Sequence, residues 1–271
     1  MNHYPHVARL ALLAGLVFSP FAMGQETAGG TVALTADIEY YQWQEFLPKN
    51  NEVLEESGPR GAIGFAWSNL RTPSGGPVYR ANARLYFGEE TYEGLQSANG
   101  QVVNTESRHI GIQGEGLGGY RFGGKVGFEL VSGIGFDVWQ RDILDSSTST
   151  GYNSLFAVLN AKLGVGMFTR FDYFAFALRA GPKLPLVAWE RIQYLDEVDL
   201  MPEPTGSWFG TAEFNFGTTG KDNVSVVLYY DSYKFRESKA QDLTSGGGSP
   251  IPVSQLDTEM TVYGVRLAVG F

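Results

Sequence analysis

The last nine residues constrain this chain most. Tyr263, Val265, Leu267, Val269 and Phe271 fall on one face of an extended strand, and Gly264, Arg266, Ala268 and Gly270 fall on the other. Side chains of a strand alternate between its two faces. One face is therefore apolar to the final residue, while the other carries an arginine among small residues. Such a strand suits a closed sheet with lipid outside and a polar interior. The expectation is a transmembrane β-barrel.

The other end of the chain points the same way. Met1 to Arg9 form a short polar segment, Leu10 to Phe18 an apolar run, and Ala22, Met23 and Gly24 a small-x-small cleavage site before Gln25. This predicts a secretory signal peptide over residues 1–24 and a barrel domain over 25–271. A helix needs ~20 apolar residues to cross a bilayer, and no stretch reaches that length. Helical spanning is excluded.

Composition closes several chemistries. Without cysteine there is no lipid-modified N-terminal cysteine, no disulfide, no thiol nucleophile and no thiolate metal site. Glycine at 35 residues and aromatics at 14% accompany short alternating segments rather than helical periodicity, so the class is all-β. A mean hydropathy of -0.13 fits a barrel, because only alternate strand residues face lipid. Loss of residues 1–24 removes Arg9 and no acid, taking the formal net charge from -9 to -10. Nucleic acid is not an expected partner.

Ten strands are predicted, at 30–45, 59–71, 77–90, 105–121, 124–141, 153–169, 172–189, 206–217, 222–236 and 257–271. The connections alternate in length: 46–58, 91–104, 142–152, 190–205 and 237–256 are long, and 72–76, 122–123, 170–171 and 218–221 are short. Even strand number with short turns at one end and long loops at the other describes an up-and-down barrel with periplasmic N- and C-termini and extracellular long loops. Gly123 and Gly124 can supply the positive φ of a tight hairpin, and the segment from Pro73 to Pro77 makes another turn.

On its terminal strand, signal peptide and loop rhythm, the chain resembles the small outer-membrane β-barrels of Gram-negative bacteria. Their C-terminal signature is a final aromatic preceded by apolar residues at every second position, here Tyr263, Val265, Leu267, Val269 and Phe271. The resemblance implies a ten-stranded antiparallel barrel surrounded by outer-membrane lipid and lipopolysaccharide. It also implies delivery by periplasmic chaperones and the barrel-assembly machinery, which reads that signature. No motif selects a subfamily.

Requiring one apolar face per strand assigns the interior. Strand seven turns Phe174, Phe176, Leu178 and Ala180 outward. The inward set holds Asp37, Glu39, Glu115, Glu129, Asp137, Glu213 and Asp231 against Arg80, Arg84, Lys162, Arg179, Lys183 and Arg266. A lone charge in a narrow interior is costly, so this near balance predicts cross-lumen ion pairs and a blocked or very narrow passage.

Few constellations offer chemistry. Gly114, Gly116 and Gly119 spell a dinucleotide fingerprint, and Gly119, Gly124 and Lys125 approach a phosphate loop. Both need a following helix, and alternating strand follows instead. His109 is the one histidine after residue 24; it shares an inward face with Ser107, Gly111, Gln113 and Glu115. Ten-stranded barrels include the omptin surface proteases, which this chain resembles in strand count and loop alternation. That family uses an aspartate pair opposite a His-Asp dyad, and no Asp-His pairing of that sort stands next to His109, whose neighbours are Arg108 and Ile110. Lipid-hydrolysing barrels use a Ser-His arrangement, for which Ser107 and His109, oriented by Asp137 or Asp231, are the candidates. The favoured reading of His109 is a hydrogen-bonded lumen residue.

The long connections are acidic: Glu52, Glu55 and Glu56, then Glu89, Glu90 and Glu93, then Glu190, Asp196, Glu197, Asp199 and Glu203. They read as solvated surface, since no calcium-loop spacing is present. No metal site and no cofactor are predicted. Tyr40, Tyr41, Trp43, Trp67, Trp139, Trp189, Trp208, Tyr229, Tyr230 and Tyr263 read as interfacial girdles and strand packing. The expected function is a non-enzymatic integral outer-membrane barrel with a structural or surface-interaction role. A narrow passive porin-like channel and an omptin-like or lipid-hydrolysing surface enzyme are the alternatives.

Overall fold

The computed structural model describes residues 30–47, 51–69, 75–95, 101–193, 197–217, 223–243 and 251–271. The predicted signal peptide, the 218–221 turn, Asp196 and residues 73 and 74 of the turn from Pro73 to Pro77 lie outside these residues. In chain order the strands are β1 (Thr31–Leu47), β2 (Asn51–Ser68), β3 (Gly76–Leu95), β4 (Val102–Gly123), β5 (Val126–Ile143), β6 (Tyr152–Arg170) and β7 (Phe174–Gln193). They continue with β8 (Glu197–Leu200), β9 (Glu203–Pro204), β10 (Ser207–Phe216), β11 (Asn223–Arg236), β12 (Gln241–Leu243), β13 (Ile251–Val253) and β14 (Asp257–Gly270).

Ten of these close into an antiparallel barrel. The order around the wall is β1 to β7, then β10, β11 and β14, which returns to β1 with Ala33 opposite Gly270 and Tyr40 opposite Tyr263. Closure removes the unpaired edges that lipid could not hydrogen-bond. At the seam the Phe271 N–H donates to the Val32 carbonyl at 3.0 Å. Two short strands extend the wall, β8 on β7 and β9 on β11, and β12 pairs with β13 as a separate hairpin. Hereafter the end bearing Thr31 and Gly270 is the terminal end, and the opposite one the distal end.

The tight turn between β4 and β5 follows from its glycines. Gly123 has φ +107°, and a Cβ there would meet the Val126 carbonyl oxygen at 2.6 Å, so both backbone angle and space require glycine. In β7 the interior Pro185 sits where the register with β6 slips between Leu159 and Asn160. An irregularity of this kind is where a barrel strand accepts proline.

The strands are longer than the sequence pattern suggests. A tilted strand crosses a bilayer in about 9–11 residues, yet β1 to β7 run from 17 to 22. Near the terminal end the outward residues form an exposed apolar band, including Leu34, Ile38, Phe65, Leu85, Phe87, Ile110, Phe128, Val165, Val265 and Leu267. Beyond it the outward positions become Gln42 and Gln44 on β1, Glu55 and Ser57 on β2, Glu89 and Thr91 on β3, and Arg108 and Glu106 on β4. The outward Arg108 and Glu89 form a 3.2 Å ion pair with both side chains more than half exposed, which marks that level as lying in water. The distal half of the wall therefore rises past the lipid.

This corrects the first, second and fourth predicted loops. β2 begins at Asn51 rather than after 58, β3 runs to Leu95 rather than 90, and β7 reaches Gln193. Above the lipid the outer face no longer has to be apolar, so the alternation that reveals a strand fades while the backbone pairing continues.

Candidate functional site in the distal lumen

Two layers fill the interior. Toward the terminal end lies the ion-pair network that holds the predicted inward charges. Arg84 donates to Asp37 at 3.0 Å and to Glu39 at 2.6 Å, and Arg266 reaches Asp37 at 2.8 Å. Arg80 on β3 meets Glu213 on β10 at 2.7 Å, which spans the lumen because these strands stand on opposite walls. Arg179 bridges Glu213 at 2.8 Å and Glu129 at 2.6 Å. Lys162 pairs with Glu115 and stands 3.5 Å from Asp231, which Lys183 holds at 2.5 Å. Asp137 accepts hydrogen bonds from the Tyr86 hydroxyl at 2.7 Å and Gln113 at 3.1 Å. Below this network the lumen opens into a cavity of about 220 Å³ that reaches Thr31 and Gly270 at the terminal end.

Two members of this network went unread in the sequence. Arg60 pairs with Glu39 at 2.6 Å, and Arg121 pairs with Glu129. Both stand on the inward parity of their strands, so extending the period-two count would have found them. The terminal-strand residues Tyr263, Val265, Leu267, Val269 and Phe271 all face outward and are about half exposed or more.

The distal layer is built from residues assigned elsewhere. Tyr41, Trp43 and Trp139, read as girdle aromatics, are fully buried inside the barrel, and Tyr229 faces inward with its hydroxyl 2.6 Å from Glu39. Trp139 and Phe156 stack at 4.8 Å and 5°, and Trp43 packs edge-on against Phe156 at 5.0 Å. Tyr40, Trp208 and Tyr263 do face outward. An aromatic has no parity of its own; it goes to whichever face its strand turns inward at that height.

Against this aromatic layer sits a compact set of charges. Glu56 on β2, Glu90 on β3, His109 on β4, Arg141 on β5 and Glu190 on β7 are all buried. This overturns the reading of Glu56, Glu90 and Glu190 as solvated loop acids, whereas Glu197 and Asp199 are exposed and pair with Arg191. His109 Nδ1 lies 2.7 Å from Glu90 Oε2 and 3.5 Å from Glu56 Oε1. Arg141 is 3.4 Å from Glu56 and 3.8 Å from Glu190, with its guanidinium 5.2 Å from the centre of the Trp43 ring.

The acids outnumber the bases here. Arg141 pairs with Glu56 and Glu190, while the guanidinium that faces Glu90 is Arg60, which is already paired with Glu39. Burial pushes the Glu90 carboxyl up to about 8, with Arg60 opposing and Glu56 and Glu39 adding to the rise. Burial likewise pushes Glu190 up to about 8, against the pull of Arg141, and raises Glu56. His109 is held well below its ordinary value by burial and by Arg60 and Arg141. The imidazole is therefore neutral at pH 7.

As a hydrolytic centre this arrangement lacks access. Ser107 and His109 are inward and have 0% and 3% exposure, so neither meets a substrate arriving from outside. Neither Asp137 nor Asp231 orients the ring; Glu90 does.

Comparison with known proteins gives fold and no family. No known family profile matches the chain, and no curated protein matches it. Among solved structures, the outer-membrane protease OmpT from Escherichia coli aligns over 91% of this chain and 99% of that one, with a TM-score of 0.57 at 10% identity. The transport unit of the autotransporter AIDA-I from Escherichia coli aligns over 100% of both chains at a TM-score of 0.44 and 7% identity. The COG4313 outer membrane channel from Pseudomonas putida F1 gives 0.38 at 12% identity, over 91% of this chain and 97% of that one. The chain has the ten-stranded, closed antiparallel fold of the outer-membrane β-barrels of Gram-negative bacteria.

Proposed function

We propose that the protein is an integral outer-membrane barrel with a sealed lumen, serving a structural or surface-interaction role through its tall distal rim rather than passing solutes. The observation that carries this is the contact of Trp43 with Phe156. These rings come from strands five places apart around a ten-stranded wall, so their contact crosses the full width of the lumen. Arg141 packs beside both rings, its guanidinium 5.2 Å from the centre of Trp43 and 5.7 Å from that of Phe156. Water-filled channels become routine only in much wider barrels, of about 16 strands.

On this reading the apolar band meets outer-membrane lipid, the distal rim faces the lipopolysaccharide side and the outside, and both termini lie in the periplasm. Residues 1–24 serve as the export signal, and the strand ending in Phe271 is the segment that the assembly machinery engages. The test is conductance of folded protein in a planar bilayer. A silent bilayer is expected, with no change on replacing Arg84 by Ala. Steady unitary conductance from the native chain would overturn the sealed reading in favour of a narrow channel.

A further inference from the structure

The geometry points to a binding site for a divalent first-row transition ion, of the zinc class, formed by Glu56, Glu90 and His109 in the distal lumen. One ligand atom from each of these side chains lies within 4.8 Å of the others. Two of the separations are 2.7 and 3.5 Å, from His109 Nδ1 to Glu90 Oε2 and to Glu56 Oε1. Ligands held at about 2.0–2.2 Å around one tetrahedral ion stand about 3–3.6 Å apart, so a small adjustment of the carboxylates seats an ion between them.

The second observation is a concentration of unmet hydrogen-bonding capacity at this spot. Glu56 Oε1, Glu90 Oε1, His109 Nε2 and the Tyr41 hydroxyl are all buried without a hydrogen-bond partner. Side chains of all three proposed ligands have no exposed surface. Buried polar groups in folded proteins are nearly always paired, and a cluster of orphans asks for a bound species. A cation satisfies it better than water, because Glu56 shares Arg141 with Glu190, and the Arg60 that faces Glu90 is already paired with Glu39.

The donor set selects the ion. An imidazole nitrogen with two carboxylate oxygens suits zinc and its neighbours, whereas calcium and magnesium favour all-oxygen shells. Glu56, Glu90 and His109 come from three successive strands, β2, β3 and β4, so the ion would pin the wall where it rises free of the lipid. The wall encloses the site, so loading accompanies folding and release is slow.

The test uses the full chain folded in detergent with Zn2+ present and then passed over a chelating resin, with zinc counted by elemental analysis. About one zinc ion per chain is expected to remain in the native protein, and His109→Ala and Glu90→Gln should each lower it about tenfold or more. Asp199→Asn, in the exposed pair of β8, should retain the full amount. Variant folding is read by circular dichroism. Should the variants fail to fold, X-ray absorption at the zinc edge of the native protein must show imidazole scattering and light-atom ligands with no sulfur. Metal-free native protein, in which protons occupy these carboxylates instead, would overturn the site. So would zinc retained equally by the folded His109→Ala variant, which would place the ion elsewhere.

Discussion

Trp43 on β1 and Phe156 on β6 hold their ring centroids 5.0 Å apart at 68°, although their strands stand on opposite walls of the barrel. Both side chains are fully buried, and Trp139 stacks on the same phenyl ring. A contact across the diameter makes this level of the distal lumen a packed aromatic core. Trp43→Ala is expected to cost about 3–5 kcal/mol of unfolding free energy through lost burial and the cavity left behind. Denaturant unfolding of the barrel in detergent measures it.

The ion pairs inside and outside the wall separate by environment. Glu213 holds both Arg80 and Arg179, with side-chain exposures of 17% and 2%. Glu213→Gln takes the paired carboxylate from Arg80 and leaves Arg179 with Glu129 alone, and should cost about 3–5 kcal/mol. Glu89→Gln breaks the exposed pair with Arg108 and should cost at most ~1 kcal/mol. Equal losses in the two variants would mean that the lumen is as well solvated as the surface.

Glu190 sets a pH dependence with a definite sign. Its folded-state value is raised to about 8 from an ordinary 4.5, so the fold favours the protonated acid. Its contribution is fully present below pH 4.5, is lost between pH 4.5 and about 8, and is constant above. The slope within that window approaches 1.4 kcal/mol per pH unit at most. Glu190→Gln should flatten this part of the profile and make the barrel more stable than the native chain at about pH 9. Unfolding midpoints across this range give the comparison.

Tyr86 and Gly111 face each other across β3 and β4, and the ring occupies the space a side chain would take. A Cβ on Gly111 would come within 2.5 Å of Tyr86 Cζ and 2.7 Å of Trp139 Cβ. Tyr86 cannot swing away freely, since its hydroxyl is bonded to Asp137. Gly111→Ala should therefore destabilise the barrel by about 1–3 kcal/mol, read in the same unfolding assay. Gly116→Ala, where a Cβ would meet nothing, serves as the control.

The parts legible in the sequence are those that lipid dictates. Tyr263, Val265, Leu267, Val269 and Phe271 had to be apolar because they face outward within the band, and their opposite parity placed Arg266 inside, where it meets Asp37. The same constraint, strand by strand, marked the positions of Arg80, Glu213 and Lys183. Glu56 and Glu90 were unreadable for the complementary reason. At their height the outer face is wet, with Glu55, Ser57, Glu89 and Thr91 beside them, so polar residues on both parities look like a loop.

The sequence by itself determined a closed antiparallel barrel of ten strands and the inward parity of its charged residues, because a hydrocarbon surrounding permits only that alternation. The tertiary structure decided which walls face each other. Trp43 reached Phe156, Arg80 reached Glu213, and Glu56, Glu90 and His109 came together, because ring closure and register set these meetings, and neither is written in the period of any single strand.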